Sequence, residues 1–559
     1  MKKILSILGL IAACQLQAQT YYVGNNNGTY QAIETDDTHE MTFDAENRLI
    51  TITLNDETKS RFATDAIDSI AFVRPSGTEL TYTNDFGVIF DENDATSYNE
   101  IIETIITDEL IDESGDFIEN YSVSKSVTII FSETGVTYTP SIVDGITFTI
   151  KNGTHLVIDS SNKDMCYIIK GECSDGSIKI YSQKKFQMML SGLTLTNQQG
   201  PAINIQSGKT VYLTLGAGSI NTLCDGEIYT EPTTAGEDQK GTLFSEGQLI
   251  FNGRGTLNVT SYGGHAICSD DYIRIRSGKI NILGAAKDGF HTNDMFRVGR
   301  MKNIAAPEIN ITSTGDAVDC GKGEVIIEAG CLIANSGGEG IKVSYEELVP
   351  DTLIKPNATI RGGFISITTI GEKSSAIKTT GNFTQTGGII QSTVKGNGSK
   401  IVNCDGNIAF TNGKLSGIVS GTQSSDTTSA GGFKCDGNII ITGGTIAMEC
   451  TGKGSKGINC NGNMIVDGGE ITLISTAENY TQLADDKKSR AITTVGYIQN
   501  GGTVRAKAYD NAIHSESIEL SDGVINAFSH NASALNTDAT QTGGWLLTRS
   551  YWQPTRSRK

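Results

Sequence analysis

Proline is scarce in this chain, 8 residues in 559, and tryptophan scarcer, with 2. No Cys-x-x-Cys pair occurs among the 11 cysteines, which excludes the spacing of structural zinc ribbons and thioredoxin-type redox pairs. Beyond the N-terminus no run of about 18 apolar residues exists, so no later segment reads as a membrane-spanning helix. Nothing has the Ala/Leu/Glu/Lys filling of a long amphipathic helix. Positive charge is in deficit: 44 Lys and Arg face 63 Asp and Glu, a formal net charge of −19. That balance argues against nucleic acid or an anionic membrane as partner.

Glycine, by contrast, is abundant at 64 residues, and Thr, Ser, Asn, Ile and Val set a β-forming background. The chain opens on a basic "MKK" and a short apolar "ILSILGLIAA", the pattern of an export signal. Two endings fit it. "IAAC" resembles a bacterial lipobox, with Cys14 the lipidated residue, and "LQAQ" offers ordinary cleavage after Ala18. Residues 1–18 are therefore read as a signal peptide, and the protein as exported, to the cell surface, outer membrane or periplasm. Any membrane attachment is through the lipid anchor alone.

Residues 19–76 read as a small N-terminal β-module, closed by "FATDAIDSIAFVRP". Residues 85–119 carry twelve acids and no Lys or Arg, either as a helix or as the entry to the next domain, and read as a solvated acidic face. Residues 77–545 form the main domain. Residues 546–559 form a basic tail whose composition breaks from everything before it.

Inside the main domain an apolar anchor recurs, preceded by Ala, Gly or Thr except where Ile401 precedes Val402: Ile203, Leu243, Ile267, Phe290, Val318, Ile341, Ile377, Val402, Phe433, Ile458, Ile492, Ile513 and Leu535. The base spacing is 21–25 residues, lengthened by insertions. Each unit holds two or three short alternating strands broken by Gly turns, which bury a core only by stacking on neighbouring units. Leucine-rich repeats share this period but need a leucine ladder that is missing here. The expected fold is all-β: a single-stranded right-handed parallel β-helix, a solenoid with coils of about 21–25 residues. Two places after the anchor stand Cys320, Cys404, Cys435 and Cys460 on some coils, and Ser or Thr on others. These cysteines read as inward packing groups; a bridge between stacked thiols is geometrically open but not required.

The position two before the anchor carries the chemistry. "KDGFHTND", "GDAVDC" and "GEGIKV" place Asp288, Asp316 and Glu339 there on three successive coils. Backbones about 4.8 Å apart bring these charges to ~5 Å, a repulsion of about 3 kcal/mol per pair at an effective dielectric of ~20. A hard divalent cation relieves it. Further oxygen donors flank the stack: Asp271, Asp294 and Asp319. Calcium is the expected ion, because oxygen outweighs nitrogen and thiolate; a solvated acidic face is the plainer alternative. His265, His291 and His514 hint at zinc but do not cluster with thiolates.

"MLSGLTLTNQQGPAINI", "NTLCDGEIY", "GQLIFNGRGTLNVTS", "KDGFHTND", "GGFKCDGNIIITGGTIAM" and "SKGINCNGNMIVDGGEITL" fall in the order seen in one bacterial family. Over about residues 125–540 the chain resembles carbohydrate-binding domain-containing proteins, calcium-binding parallel β-helices similar to pectate lyases and reported to bind cellulose and acidic plant polysaccharides. The resemblance implies calcium at acidic loops of adjacent coils, matched by Asp288, Asp294, Asp316 and Glu339. Where members often carry a second acid after the third anchor, this chain has Lys342.

Three functions follow. The first is a non-catalytic, monomeric binder of an acidic (uronate) polysaccharide, with calcium as cofactor and His291, Lys342 and Tyr345 as sugar contacts. The second is a calcium-dependent lyase acting by β-elimination with Lys342 as base. The third is an adhesive or structural stalk. A lysine paired with the acids has its pKa raised, the wrong direction for a base, and favours the binder.

Overall fold

The computed structural model describes residues 19–80, 115–140, 142–232, 234–301, 304–345, 356–424, 428–481 and 487–551. The leader with Cys14, most of the acidic stretch and the end of the basic tail lie outside the described residues. Among them no α-helix occurs, only short 3-10 turns, and no helix is long and apolar enough to cross a membrane. The chain divides into two compact units, residues 90–437 and residues 1–89 with 438–559.

In the 90–437 unit, strands stack in parallel ladders. One runs His155–Ser160, Ser177–Ser182, Ile203–Gln206, Gly241–Ser245, His265–Ser269, Phe290–Thr292, Val318–Cys320, Ile341–Val343, Ile377–Thr379, Lys400–Cys404, Gly431–Cys435. Its register pairs the anchors directly, from Ile203 with Leu243 through Val402 with Phe433. The anchors are fully buried or nearly so, each contributing roughly 1.5–3 kcal/mol of apolar burial. The remaining strands of each repeat form two further parallel ladders, as in Met295–Val298 on Glu324–Ile327 and Glu308–Ser313 on Cys331–Ser336. In Glu308–Ser313 the alternation EINITS buries Ile309, Ile311 and Ser313 and turns Glu308, Asn310 and Thr312 outward. The architecture is all-β with long parallel sheets, consistent with a β-helix-like solenoid.

Two devices turn the corners. Gly363, Gly388 and Gly413 adopt φ of 80°, 72° and 94° where the chain enters a strand. A side chain there would be strained and would also meet the backbone of the preceding coil. Asn357 Oδ1 accepts the backbone N–H of Asn382, and Asn382 Oδ1 that of Asn407, each at 2.8 Å.

The cysteines behave as packing groups. No described cysteine stands in a disulfide, and Cys320 and Cys404 are fully buried. Burial pushes the Cys320 thiol up to about 12 and that of Cys404 to about 11.

The last acids of the acidic stretch depart from the expected solvated face. Asp116 pairs with Arg274 at 2.9 Å and Glu119 with Arg276 at 2.7 Å, both guanidiniums being buried. The Phe117 ring lies 3.8 Å from the Arg276 guanidinium. A buried guanidinium needs an anion, and this segment supplies two.

In the other unit, strands 20–25, 29–34, 67–71 and 78–79 form a four-stranded sheet. Strands 38–44, 49–54 and 59–63 form an antiparallel set that continues onto Trp545–Arg549. The expected boundary after residue 545 thus falls inside a strand. Trp545 stacks on Phe62, with centroids 6.1 Å apart, and its Nε1 donates to Ser60 Oγ at 2.7 Å. Tyr21, Val23, Ile33, Ile50, Ile52, Phe62, Trp545 and Leu547 share one core, so the N-terminal strands bury their apolar face against the last rung. Parallel ladders in this unit pair Ile458 with Ile492 and Ile492 with Ile513, with a bridge from Ile513 to Leu535, again anchor on anchor.

Candidate functional site

The site lies in the 90–437 unit, where the ladder register sets Cys268, His291, Asp319, Lys342 and Lys378 side by side, one per coil. These residues follow the anchors; His291, Asp319, Lys342 and Lys378 are partly exposed, while Cys268 is fully buried. Two places before each anchor stand His265, Asp288, Asp316 and Glu339. The two rows border the same short strands, three residues apart along the chain.

The acids do not simply repel. Asp288 Oδ1 accepts the backbone N–H of Asp316 at 2.8 Å, and Asp316 Oδ1 accepts that of Glu339 at 2.7 Å. Each carboxylate thus caps the next coil, as Asn357 and Asn382 do elsewhere. Gly315 and Gly338 make this possible, since a Cβ at either would collide with the capping carboxylate.

The protein also supplies countercharge. His265 Nδ1 lies 3.0 Å from Asp288 Oδ2, and His291 Nδ1 lies 3.6 Å from the same oxygen and 3.0 Å from Asp319 Oδ2. Lys342 Nζ lies 3.3 Å from Asp319 and 3.7 Å from Asp316, and Lys378 Nζ lies 2.9 Å from Glu339. Burial pushes Asp288 up, yet the two imidazoles hold it far below the usual carboxylate range. Burial likewise opposes ionisation of Asp319, but His291 and Lys342 keep its pKa low. His291, against its burial, is carried to about 9 by Asp288 and Asp319. Burial lowers His265, outweighing its contact with Asp288. Lys342, also half-buried, is nonetheless held above the ordinary lysine value by Asp319 and Asp316.

Asp316 is the exception. Burial, the facing Glu339 and then Asp288 push its carboxyl up to about 8. Glu339 moves the other way: burial raises it, but hydrogen bonds from Asp316 and Lys378 prevail. The two carboxyls share one proton, the expected response of like charges that cannot both ionise.

The expected ligand set therefore splits. Asp288, Asp316, Asp319 and Glu339 gather here with His291 and Lys342. Asp271 and Asp294 lie beyond the anchors' other side, four places after Ile267 and Phe290. They neighbour each other, with the Asp294 N–H donating to the Asp271 carbonyl at 2.9 Å, and burial and then Asp294 raise Asp271. Tyr345, four places after Ile341, is on that side too, its backbone N–H donating to Thr380 Oγ1 at 3.3 Å. His265, read from sequence only as a hint of zinc, and Lys378, a second candidate base on the same face, also join the site. The signal for His265 was its place two before an anchor, continuing the row of acids by one coil. A second acidic cluster, Asp238, Glu246 and Asp270, has a cation of its own, with Lys240 Nζ at 2.7 Å from both Asp238 and Asp270.

A family model described as carbohydrate-binding domain-containing protein matches residues 151–479, and the chain belongs to that family. A protein of that name from Acetivibrio thermocellus is 26% identical over 118 residues, 21% of this chain and 41% of the relative, so the chain spans well under half of that relative's length. A solved structure, a polysaccharide lyase-like protein from C. thermocellum in a gadolinium derivative, aligns over 51% of this chain and 96% of its own, at 22% identity and a TM-score of 0.38.

Proposed function

We propose that the protein is an exported, non-catalytic polysaccharide-binding protein on a single-stranded right-handed parallel β-helix, favouring acidic, uronate-containing glycans with the help of calcium. Export would proceed through the leader, with Cys14 as a lipid anchor at the cell surface. Membership of the carbohydrate-binding family carries the polysaccharide. The preference for acidic glycans rests on one observation: the register that aligns Lys342 with Lys378, then Asn403 and Lys434, one residue per coil. A polymer with a carboxylate on each sugar can meet a lysine on three of these four rungs, with Asn403 between Lys378 and Lys434.

The fit to calcium differs along the acid row. Asp288 fits poorly, with one oxygen on a backbone N–H and the other facing two imidazoles. Asp316 and Glu339 fit better: two carboxyls holding a proton between them can hold a hard cation in its place. Bound there, calcium would supply a positive centre for uronate carboxylates. The chain's own residues position the sugar through Lys342, Lys378 and Lys434.

Lys342 speaks against a lyase. Its ammonium faces Asp319 and Asp316 and is held protonated; a β-elimination base must be free to take a proton. Calorimetry of the full chain with polygalacturonate, with calcium and with EDTA, tests the reading while unsaturated-uronide absorbance is followed. Calcium-strengthened binding with flat absorbance is expected. A steady absorbance rise abolished in Lys342→Ala would establish the lyase instead, and binding to neutral glucan alone would remove the acidic preference.

A further inference from the structure

We infer that His265, Asp288 and His291 form a binding site for a transition-metal ion of the zinc type. Their donor atoms, one from each side chain, all lie within 4.8 Å of one another. Metal–nitrogen and metal–oxygen bonds of about 2.0–2.2 Å in a tetrahedron put ligand atoms roughly 3.4 Å apart. The observed separations from Asp288 Oδ2 are 3.0 Å to His265 Nδ1 and 3.6 Å to His291 Nδ1, on either side of that edge. The imidazoles come from adjacent coils and stack with centroids 4.4 Å apart and planes 25° from parallel, which turns both Nδ1 atoms toward the same carboxylate oxygen.

A second observation is independent of the spacing. His291 Nδ1 is buried and has no aligned hydrogen-bond partner, although Asp319 Oδ2 is 3.0 Å away. His265 Nδ1 accepts only a long contact, 3.3 Å, from the Asp288 backbone N–H. The same nitrogen faces Asp288 Oδ2 at 3.0 Å, so it needs a lone pair for the N–H and a proton for the carboxylate and cannot have both. A lone pair and a carboxylate oxygen turned toward each other are reconciled by a cation between them.

The surroundings hold the donors in place. Asp288 Oδ1 is fixed by the Asp316 N–H, which leaves Oδ2 for the ion. Asp319 Oδ2 stands ready as a fourth ligand or as the acceptor of a bound water. Two nitrogens in the set select against calcium and for zinc, cobalt or nickel. The site uses neither Asp316 nor Glu339, so it stands or falls separately from calcium.

The test uses the full chain, free of affinity tags, stripped with EDTA and titrated with cobalt(II) as the spectroscopic probe. One ion per chain is expected, with the strong visible bands of a four-coordinate centre, displaced by zinc and not by excess calcium. His265→Ala and His291→Gln should each weaken binding by more than about 100-fold, since even outer partners of metal ligands are worth about 10–100-fold. Asp238→Asn, in the other acidic cluster, should leave it unchanged. Absence of saturable cobalt binding in the folded wild type would overturn the site and leave His291 as a plain imidazolium countercharge, as would equal binding by the histidine variants. Should those variants fail to fold, the wild type still decides: zinc must protect the two imidazoles from chemical carbethoxylation, and no protection refutes the inference.

Discussion

Replacing Asp316 by Asn should remove most of an alkaline loss of stability. The Asp316 carboxyl titrates near 3.8 when exposed and at about 8 in the fold. The folded protein therefore holds a proton that the unfolded chain releases. Stability from this group is greatest below the unfolded value, falls as pH climbs through the interval, and carries its full penalty above about pH 8. Four pH units at about 1.4 kcal/mol each set a ceiling near 6 kcal/mol. Glu339, displaced downward by the same contact, has completed its gain by about pH 5, above its unfolded value, so between about pH 5 and about pH 8 the roughly three pH units left to Asp316 bound the fall at about 4 kcal/mol. Asn at 316 keeps an oxygen for the Glu339 N–H and gives Glu339 a permanent donor. Urea unfolding of both proteins in EDTA, at about pH 5 and about pH 9, measures the difference. His291 titrates in the same direction in both proteins, so their difference isolates Asp316. Calcium should restore wild-type stability at high pH and do little for Asp316→Asn. An equal fall in both proteins would refute the shared proton.

Gly315→Ala should cost about 1–3 kcal/mol, since its Cβ would collide with the Asp288 carboxylate and the Lys287 backbone; thermal unfolding reads it, and a neutral result would mean that the cap is dispensable. Asp288→Ala orphans the Asp316 N–H and should cost about 1–3 kcal/mol in urea unfolding, whereas Asp288→Asn retains an acceptor and should cost less. Trp545→Ala empties the space against Phe62 and removes one of the two hydrogen bonds of Ser60 Oγ, which keeps its bond to Gln31 Oε1, for a loss of about 3–5 kcal/mol; protease nicking within residues 19–80 should rise with it. Lys342→Met should weaken binding to polygalacturonate without changing uronide absorbance.

The coil register was legible in the sequence because a parallel ladder repeats its side-chain environment at every turn. An apolar anchor after a small residue marks the same inward position on nearly every coil, and the ladder pairs match anchor to anchor within both units. The inward cysteines were readable for the same reason. The row holding Asp288, Asp316 and Glu339 could be drawn from spacing alone, and so could the countercharge of Lys342.

Other features are decided by directions that spacing does not encode. Whether a carboxylate turns outward to an ion or back onto the next coil depends on the space left by Gly315 and Gly338. The convergence of His265 and His291 on one oxygen of Asp288 joins two rows of the repeat, and a one-dimensional alignment keeps such rows apart. The pairing of Trp545–Arg549 with strand 59–63 links positions nearly 500 residues apart, where no local pattern reports the partner. The sequence alone therefore determined which residues recur on each rung, through the burial that every coil demands. Tertiary structure decided which of them face one another, because contacts between rows and between chain ends depend on side-chain direction and closure rather than on period.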